Sequence, residues 1–158
     1  MAKYTFYFLT FILCASCSLN DNSNNTSNAN VDFTAVNDTE IQAYIEVNNI
    51  TAEKTDTGLY VVIDNPGTGK QPTITNNVTV AYRGYFTDNR TFDESPEAGV
   101  SFNMNRVILG WQEGIAKFKE GGSGMLLIPS HLAYGNQGTR GIPGGAVILF
   151  DINLIAVN

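Results

Sequence analysis

The sequence predicts a single α+β domain, an antiparallel sheet packed on one central helix, with a short helix before it. Residues 78–86 alternate apolar and polar side chains, as a strand does. Residues 110–118 place apolar side chains at helical spacing. Residues 146–157 begin apolar on both faces, as a central strand does when both of its faces are covered. With 158 residues, the chain has room for one well-formed core.

The composition argues against several classes of protein. Fifteen acidic residues against nine basic ones give a net charge of −6. Nucleic-acid binders need a basic surface to displace counterions from phosphates, so no nucleic-acid partner is expected. The single histidine, His131, excludes a multi-histidine metal site, and neither a metal nor a cofactor is expected. After the first twenty residues no uncharged apolar run reaches the 18 residues typical of a membrane-spanning helix.

The N-terminus has the pattern of a secretory signal peptide, predicted over residues 1–16. Lys3 precedes an apolar run, Tyr4–Leu13, that ends in small residues before Cys17. The alternative is a disordered or buried N-terminal helix. Cys17 after Ala15-Ser16 resembles the lipobox of bacterial lipoproteins, although Cys14 departs from the usual pattern. That resemblance implies a lipidated Cys17 and a membrane anchor, with the outer membrane favoured.

An asparagine-rich tract follows Cys17. Six of residues 20–30 are Asn and none is aromatic, so the tract cannot bury enough apolar surface to offset its ordering entropy. Residues 17–36 are therefore predicted to be a flexible tether, and residues 37–157 the folded domain. Both cysteines precede this domain, which consequently has no disulfide.

The domain is predicted to start with a helix over residues 38–48. Asn37 as N-cap and Glu40 three residues later have the spacing of a capping box. The predicted elements that follow are the strand Leu59–Ile63, a loop over residues 65–70 without the glycine spacing of a P-loop, the strands Val78–Phe86 and Arg90–Asp93, the helix Gly110–Phe118, the strand Met125–Ile128, a glycine-rich loop over residues 131–145 and the strand Ala146–Val157. Phe86, Phe102 and Phe118 are assigned to the core, and His131 to the surface.

Five segments resemble the FKBP-type peptidyl-prolyl cis-trans isomerases. They occur in the family's order between residues 58 and 157: Val80-Ala81-Tyr82-Arg83-Gly84, Thr91-Phe92-Asp93-Glu94-Ser95, Val107 to Gly114, Ala133-Tyr134-Gly135, and Ile142-Pro143 to Leu149-Phe150-Asp151. No single segment is decisive, but their combination is specific. The resemblance implies a half-barrel-like antiparallel sheet wrapped on a short helix, with a pocket between them.

The resemblance also implies the site residues. Catalytic roles fall to Tyr82, Asp93 and Tyr134, and substrate binding to Phe92, Val107, Ile108, Trp111, Ile142 and Phe150. Trp111 would form the pocket floor, and the Ile108 N–H and Tyr134 hydroxyl would donate to a bound carbonyl. Asp93 and Tyr134 are expected to orient the rotating carbonyl rather than to exchange protons.

The expected function is peptidyl-prolyl isomerisation of proline-containing client polypeptides in the cell envelope. The protein is expected to act as a monomer. Three departures from the family pattern leave an alternative open: Val100 replaces a frequent aromatic residue, Thr139 a frequent histidine, and Pro143-Gly144 a Pro-Pro pair. The alternative is a protein-binding module of the same fold with little isomerase activity. A weaker one is a structural subunit of a surface machine.

Overall fold

The computed structural model describes residues 31–158; the predicted signal peptide, Cys17 and most of the predicted tether lie outside them. The elements are α1 (Thr34–Val47), β1 (Glu53–Lys54), β2 (Tyr60–Asn65), β3 (Asn77–Tyr85), β4 (Thr91–Glu94), β5 (Val100–Asn103), α2 (Leu109–Ile115), β6 (Ser123–Ile128) and β7 (Ile148–Val157). Two short 3₁₀ helices, Met104–Arg106 and Ser130–Leu132, precede α2 and the glycine-rich loop.

The strands form one antiparallel sheet in the order β1-β2-β6-β7-β3-β4, and β5 also pairs with β3. The last strand, β7, lies between β6 and β3, in the register that places Gly84 opposite Phe150. The predicted fold class is therefore confirmed. The short strands β1 and β5 were not predicted, since two to four residues carry too little alternation to recognise.

The inner face of the sheet packs on α2. Trp111, Ile115 and Phe118, the predicted helical stripe, are all buried there. Two glycines one turn apart bring α2 close to β6: a Cβ atom on Gly110 would lie 2.5 Å from the Ile128 side chain, and one on Gly114 would lie 2.5 Å from Leu126. The helix ends at Ile115, three residues before its predicted end, and Phe118 lies in the turn that follows.

The outer face of the sheet carries a second apolar cluster beneath α1. Its buried members are Ile41, Tyr60, Tyr85, Leu127, Val147 and Leu149. Tyr85, on the face of β3 opposite to Tyr82, is only 3% exposed because α1 covers it. Its hydroxyl donates to Asp151 Oδ1 at 2.9 Å. Burial, and then this hydrogen bond, raise the pKa of Tyr85 well above its usual range.

The predicted start of the first helix is wrong. Helix α1 begins at Thr34 rather than residue 38, so the last three residues of the predicted tether are helical. The N-cap is Phe33, without a side-chain capping bond, and the predicted capping box does not form. Asn37 is buried inside the helix and binds the chain far downstream, while Glu40 accepts a hydrogen bond from the Thr87 hydroxyl at 2.7 Å. Both side chains serve tertiary contacts, which local spacing does not reveal.

Between residues 31 and 158 no helix is long and apolar enough to cross a membrane.

Candidate functional site

A cavity of about 290 Å³ opens on the inner side of the sheet, at the N-terminus of α2. It is lined by Tyr82, Asp93, Phe102, Arg106, Val107, Ile108, Trp111, Tyr134 and Phe150. A larger depression of about 640 Å³ lies on the outer face beside residues 49–51, but none of the predicted site residues lines it. The smaller cavity is therefore the candidate site.

Aromatic rings packed edge to face form the floor and walls of this cavity. The Trp111 ring centroid lies 5.1 Å from that of Tyr82 and 5.1 Å from that of Phe150, with interplanar angles of 83° in both pairs. Phe102 meets Trp111 in the same way at 5.4 Å. This geometry suits the ring quadrupoles and locks the side chains against one another. The site thus has a rigid, apolar interior.

Trp111 lies in the first turn of α2 and is 4% exposed. Its Nε1–H is buried and has no hydrogen-bond partner within residues 31–158. Because Nε1 is inaccessible, a ligand in the cavity meets the indole ring and finds no donor at the floor.

Polar groups lie at the mouth of the cavity. The Tyr82 hydroxyl donates to Asp93 Oδ2 at 2.7 Å. Burial, and then this bond, raise the pKa of Tyr82 to about 12. Tyr134 is 36% exposed, and burial followed by the charge of Asp93 raises the pKa of its hydroxyl. Both phenols are therefore protonated at neutral pH, and the Tyr134 hydroxyl makes no hydrogen bond within the described part of the chain.

The segment before α2 supplies a backbone donor. The Ile108 carbonyl accepts from the N–H groups of Trp111 and Gln112 at 3.0 and 3.1 Å, which starts the helix. The Ile108 N–H itself bonds to no residue between 31 and 158. Two donors that no residue between 31 and 158 engages, this N–H and the Tyr134 hydroxyl, thus belong to residues that line the cavity.

The structure brings together seven of the nine predicted site residues around the cavity, and the other two do not line it. Phe92 packs between Phe86 and Phe150, at centroid distances of 5.1 and 5.6 Å, and does not line the cavity. Ile142 is 7% exposed and belongs to the inner core. Phe92 therefore supports the Phe150 ring from behind, whereas Ile142 is part of the general core.

Two cavity residues were missed. Phe102 was assigned to the core, yet it lines the cavity because β5 pairs with β3 and places Phe102 opposite Val78. Arg106 ends a 3₁₀ turn at the cavity, and its sequence context has no signal that distinguishes it from a solvated loop residue. Of the family departures, Val100 and Thr139 do not line the cavity.

The described residues offer no metal centre: within residues 31–158 no group of three His, Cys, Asp or Glu side chains is placed to hold a metal ion. What the cavity can do chemically is bind an apolar ring and its adjoining carbonyl.

Comparison with known proteins identifies the family of the chain. Residues 68–155 match the family model of the FKBP-type peptidyl-prolyl cis-trans isomerases, and the chain belongs to that family. It is 39% identical over 107 residues to the isomerase FkpA of Aeromonas hydrophila, and 40% identical over 103 residues to FkpA of Escherichia coli K12. These stretches are 66% and 64% of this chain but only 40% and 38% of those relatives.

Solved structures show the same fold. The crystal structure of FkpA from Escherichia coli superposes with a TM-score of 0.71 at 34% identity, covering 79% of this chain and 61% of that one. A peptidyl-prolyl isomerase from Pseudomonas syringae gives a TM-score of 0.68 at 28% identity, covering 82% of this chain and 98% of that one. The fold is therefore that of the family.

Proposed function

We propose that this protein is a peptidyl-prolyl cis-trans isomerase that assists the folding of proline-containing polypeptides. The observation that carries the proposal is the cavity itself: Tyr82, Trp111 and Phe150 form an apolar floor, and the polar side chains of Asp93 and Tyr134 line the same cavity. Family membership supports the same activity.

The chemistry requires no covalent step. Resonance keeps a peptide bond planar behind a barrier of about 18–20 kcal/mol, and uncatalysed X-Pro exchange takes tens of seconds or more. Twisting the amide breaks the resonance and reduces its charge separation. An apolar cavity therefore disfavours the planar ground state relative to the twisted transition state, and each ~1.4 kcal/mol of that preference accelerates exchange about tenfold.

The polar groups have positioning roles in this proposal. The Ile108 N–H and the Tyr134 hydroxyl donate to the carbonyl, while the prolyl ring rests on Trp111. Asp93 holds the Tyr82 hydroxyl at 2.7 Å and so fixes the Tyr82 ring in the wall. Because the pKa of Tyr82 is about 12, that phenol does not exchange a proton at neutral pH. We expect activity to depend little on pH between about 6 and 9.

Two matched tyrosines test the proposal. Tyr82→Phe and Tyr85→Phe each remove one tyrosine–aspartate hydrogen bond from β3, at the cavity and on the outer face respectively. Losing such a bond costs about 0.5–1.5 kcal/mol. We expect Tyr82→Phe to slow catalysed X-Pro exchange roughly two- to tenfold, and Tyr85→Phe to leave it within error of wild type while lowering the melting temperature.

The measurement is NMR exchange on X-Pro peptides with the full chain purified in detergent. Folded wild-type protein that does not accelerate exchange would reject the isomerase and leave the protein-binding module as the leading account. If Tyr82→Phe and Tyr85→Phe lose the same amount of activity, the cavity is not the site of catalysis.

We further propose that the chain is exported to the cell envelope and anchored there by a lipid on Cys17. The support is the signal-peptide pattern of residues 1–16, the small residues before Cys17 and the asparagine-rich tract after it. The clients would then be polypeptides folding in the envelope, and the domain would act as a monomer at the end of its tether.

A further inference from the structure

We propose that Asn37 is a positioning residue: its buried side chain closes the base of the glycine-rich loop that carries Tyr134, and so makes helix α1 part of the catalytic scaffold. The catalytic half of this inference rests on the proposed function. Asn37 is 1% exposed, lies inside α1 and is one of two buried polar residues in the described chain.

The Asn37 amide binds both ends of the loop. Its Oδ1 accepts from the Ser130 N–H at 2.8 Å, and its Nδ2 donates to the Gly145 carbonyl at 2.8 Å. These partners lie 93 and 108 residues away along the chain. One side chain thus joins the start and the end of the loop to the N-terminal helix.

Gly135, the residue after Tyr134, binds the same two loop ends from the other side. Its N–H donates to the Ser130 carbonyl at 2.8 Å, and its carbonyl accepts from the Gly145 N–H at 2.9 Å. Ser130 and Gly145 therefore have both backbone groups occupied, one by Asn37 and one by Gly135. Because Tyr134 is bonded covalently to Gly135, the position of its hydroxyl at the cavity mouth depends on this closed arrangement.

The residues before Asn37 strengthen the contact. The Phe33 ring lies so close to Gly145 that a Cβ atom there would be 2.5 Å from it. The Asn136 side chain donates to the Val31 carbonyl at 2.6 Å. The residues just before α1 therefore also contact the loop.

Asparagine suits this place for a specific reason. The two loop ends present one N–H and one carbonyl, and the Asn amide offers one acceptor and one donor at matching separation. A buried apolar residue would leave both backbone groups unpaired, and Asp would present an oxygen to the Gly145 carbonyl. Asn is otherwise a poor residue in a helix interior, and here it does not cap the helix.

The test compares Asn37→Leu and Asn37→Asp with Ile41→Ala in the full chain. Ile41 is fully buried one turn further along α1, in the outer cluster, so its truncation loosens the helix without removing a bond to the loop. The readouts are hydrogen exchange of the Gly135 and Gly145 amides, exchange of the Leu149 amide as a measure of global opening, and kcat and KM on X-Pro peptides.

In both Asn37 variants we expect the Gly135 and Gly145 amides to exchange at least tenfold faster than in the wild type, when each rate is taken relative to that of Leu149. We also expect kcat/KM to fall roughly tenfold or more, because a misplaced group at a site can lower the rate by up to about a hundredfold. Ile41→Ala should change all three amides together and keep kcat/KM per folded molecule. The proposal is overturned if, in the Asn37 variants, the Gly135 and Gly145 amides exchange faster only in proportion to Leu149. It is also overturned if these two amides exchange faster than Leu149 predicts while kcat/KM stays unchanged. Wild-type protein without isomerase activity rejects the proposed function instead, and the exchange data then decide the loop closure alone.

Discussion

Tyr82 and Tyr85 lie three residues apart on β3 and face opposite sides of the sheet. Each donates a hydrogen bond to an aspartate, Tyr82 to Asp93 at 2.7 Å and Tyr85 to Asp151 at 2.9 Å. Only Tyr82 contributes to the cavity, whereas Tyr85 packs beneath α1. The same chemical pair thus borders the cavity on one face of the sheet and the cluster beneath α1 on the other.

These pairs predict how stability depends on pH. The pKa of Tyr82 is raised from 10.0 in the unfolded chain to about 12 in the fold. The unfolded state therefore loses its proton first, so the stability from this group is complete below pH 10 and is lost as pH rises towards 12. Urea unfolding at pH 8, 10 and 11.5 should show this loss, and Tyr82→Phe should reduce it. If the stability of Tyr82→Phe falls with pH as steeply as that of the wild type, the loss of stability comes from other groups, Tyr85 among them.

Arg106 gives a second prediction at the residue scale. Its exposed side chain borders the cavity and forms no ion pair with any residue between 31 and 158. A carboxylate on the residue before proline would gain about 0.2–1 kcal/mol from it. We expect Glu-Pro peptides to be turned over about two- to fivefold faster than Lys-Pro peptides at low salt, and Arg106→Gln to remove the difference. Arg140→Gln, at an exposed position away from the cavity, is the control and should retain it.

At the scale of elements, the contact between α2 and β6 sets the height of the cavity floor. Gly110 and Gly114 face Ile128 and Leu126 directly, so the helix backbone lies against the strand's side chains. Trp111 is carried on the same helix. The depth of the cavity therefore depends on two glycines that do not line it.

Gly114→Ala tests this contact. In an unconstrained helix the change would stabilise by about 1 kcal/mol. Here the new Cβ atom would lie 2.5 and 2.6 Å from two methyl carbons of the buried Leu126, and overpacking of this kind costs about 1–3 kcal/mol. We expect a lower melting temperature and a shift in the fluorescence of Trp111, the chain's only tryptophan. A higher melting temperature with unchanged Trp111 fluorescence would show that the Leu126 side chain moves aside easily for the new methyl group.

At the scale of the whole molecule, the sheet is covered on both faces, by α2 inside and α1 outside. The N-terminal helix is therefore part of the domain rather than the end of a tether. Its first turns also contact the loop at the cavity mouth, through Asn37 and Phe33. The segment that would connect the domain to a membrane thus enters the fold close to the site.

The proposed anchor can be tested separately from the site. Cys17→Ser removes the thiol that would carry the lipid and changes no residue of the described domain. We expect the protein to move from the membrane fraction to the soluble fraction of the envelope, with kcat/KM on peptides unchanged. The measurement is fractionation, with Cys14→Ser as the control. Continued membrane association of the Cys17→Ser protein would contradict lipidation at Cys17.

Much of this protein follows from local sequence patterns. The alternation over residues 78–86 predicted the main strand, and the stripe Trp111, Ile115 and Phe118 predicted the central helix. Periodicity suffices for these elements because it records which face of a strand or helix is buried. The seven cavity residues were implied instead by the resemblance of five segments to the family.

The tertiary structure decided what depends on distant contacts. Phe102 joins the cavity through the pairing of β5 with β3, Tyr85 is buried by α1, and Asn37 binds a carbonyl 108 residues away. Asn37 and Glu40 match a capping box in sequence but are used for long-range bonds. A local pattern records only the preference of a segment, whereas the pairing of a buried polar group such as the Asn37 amide depends on contacts between distant parts of the chain.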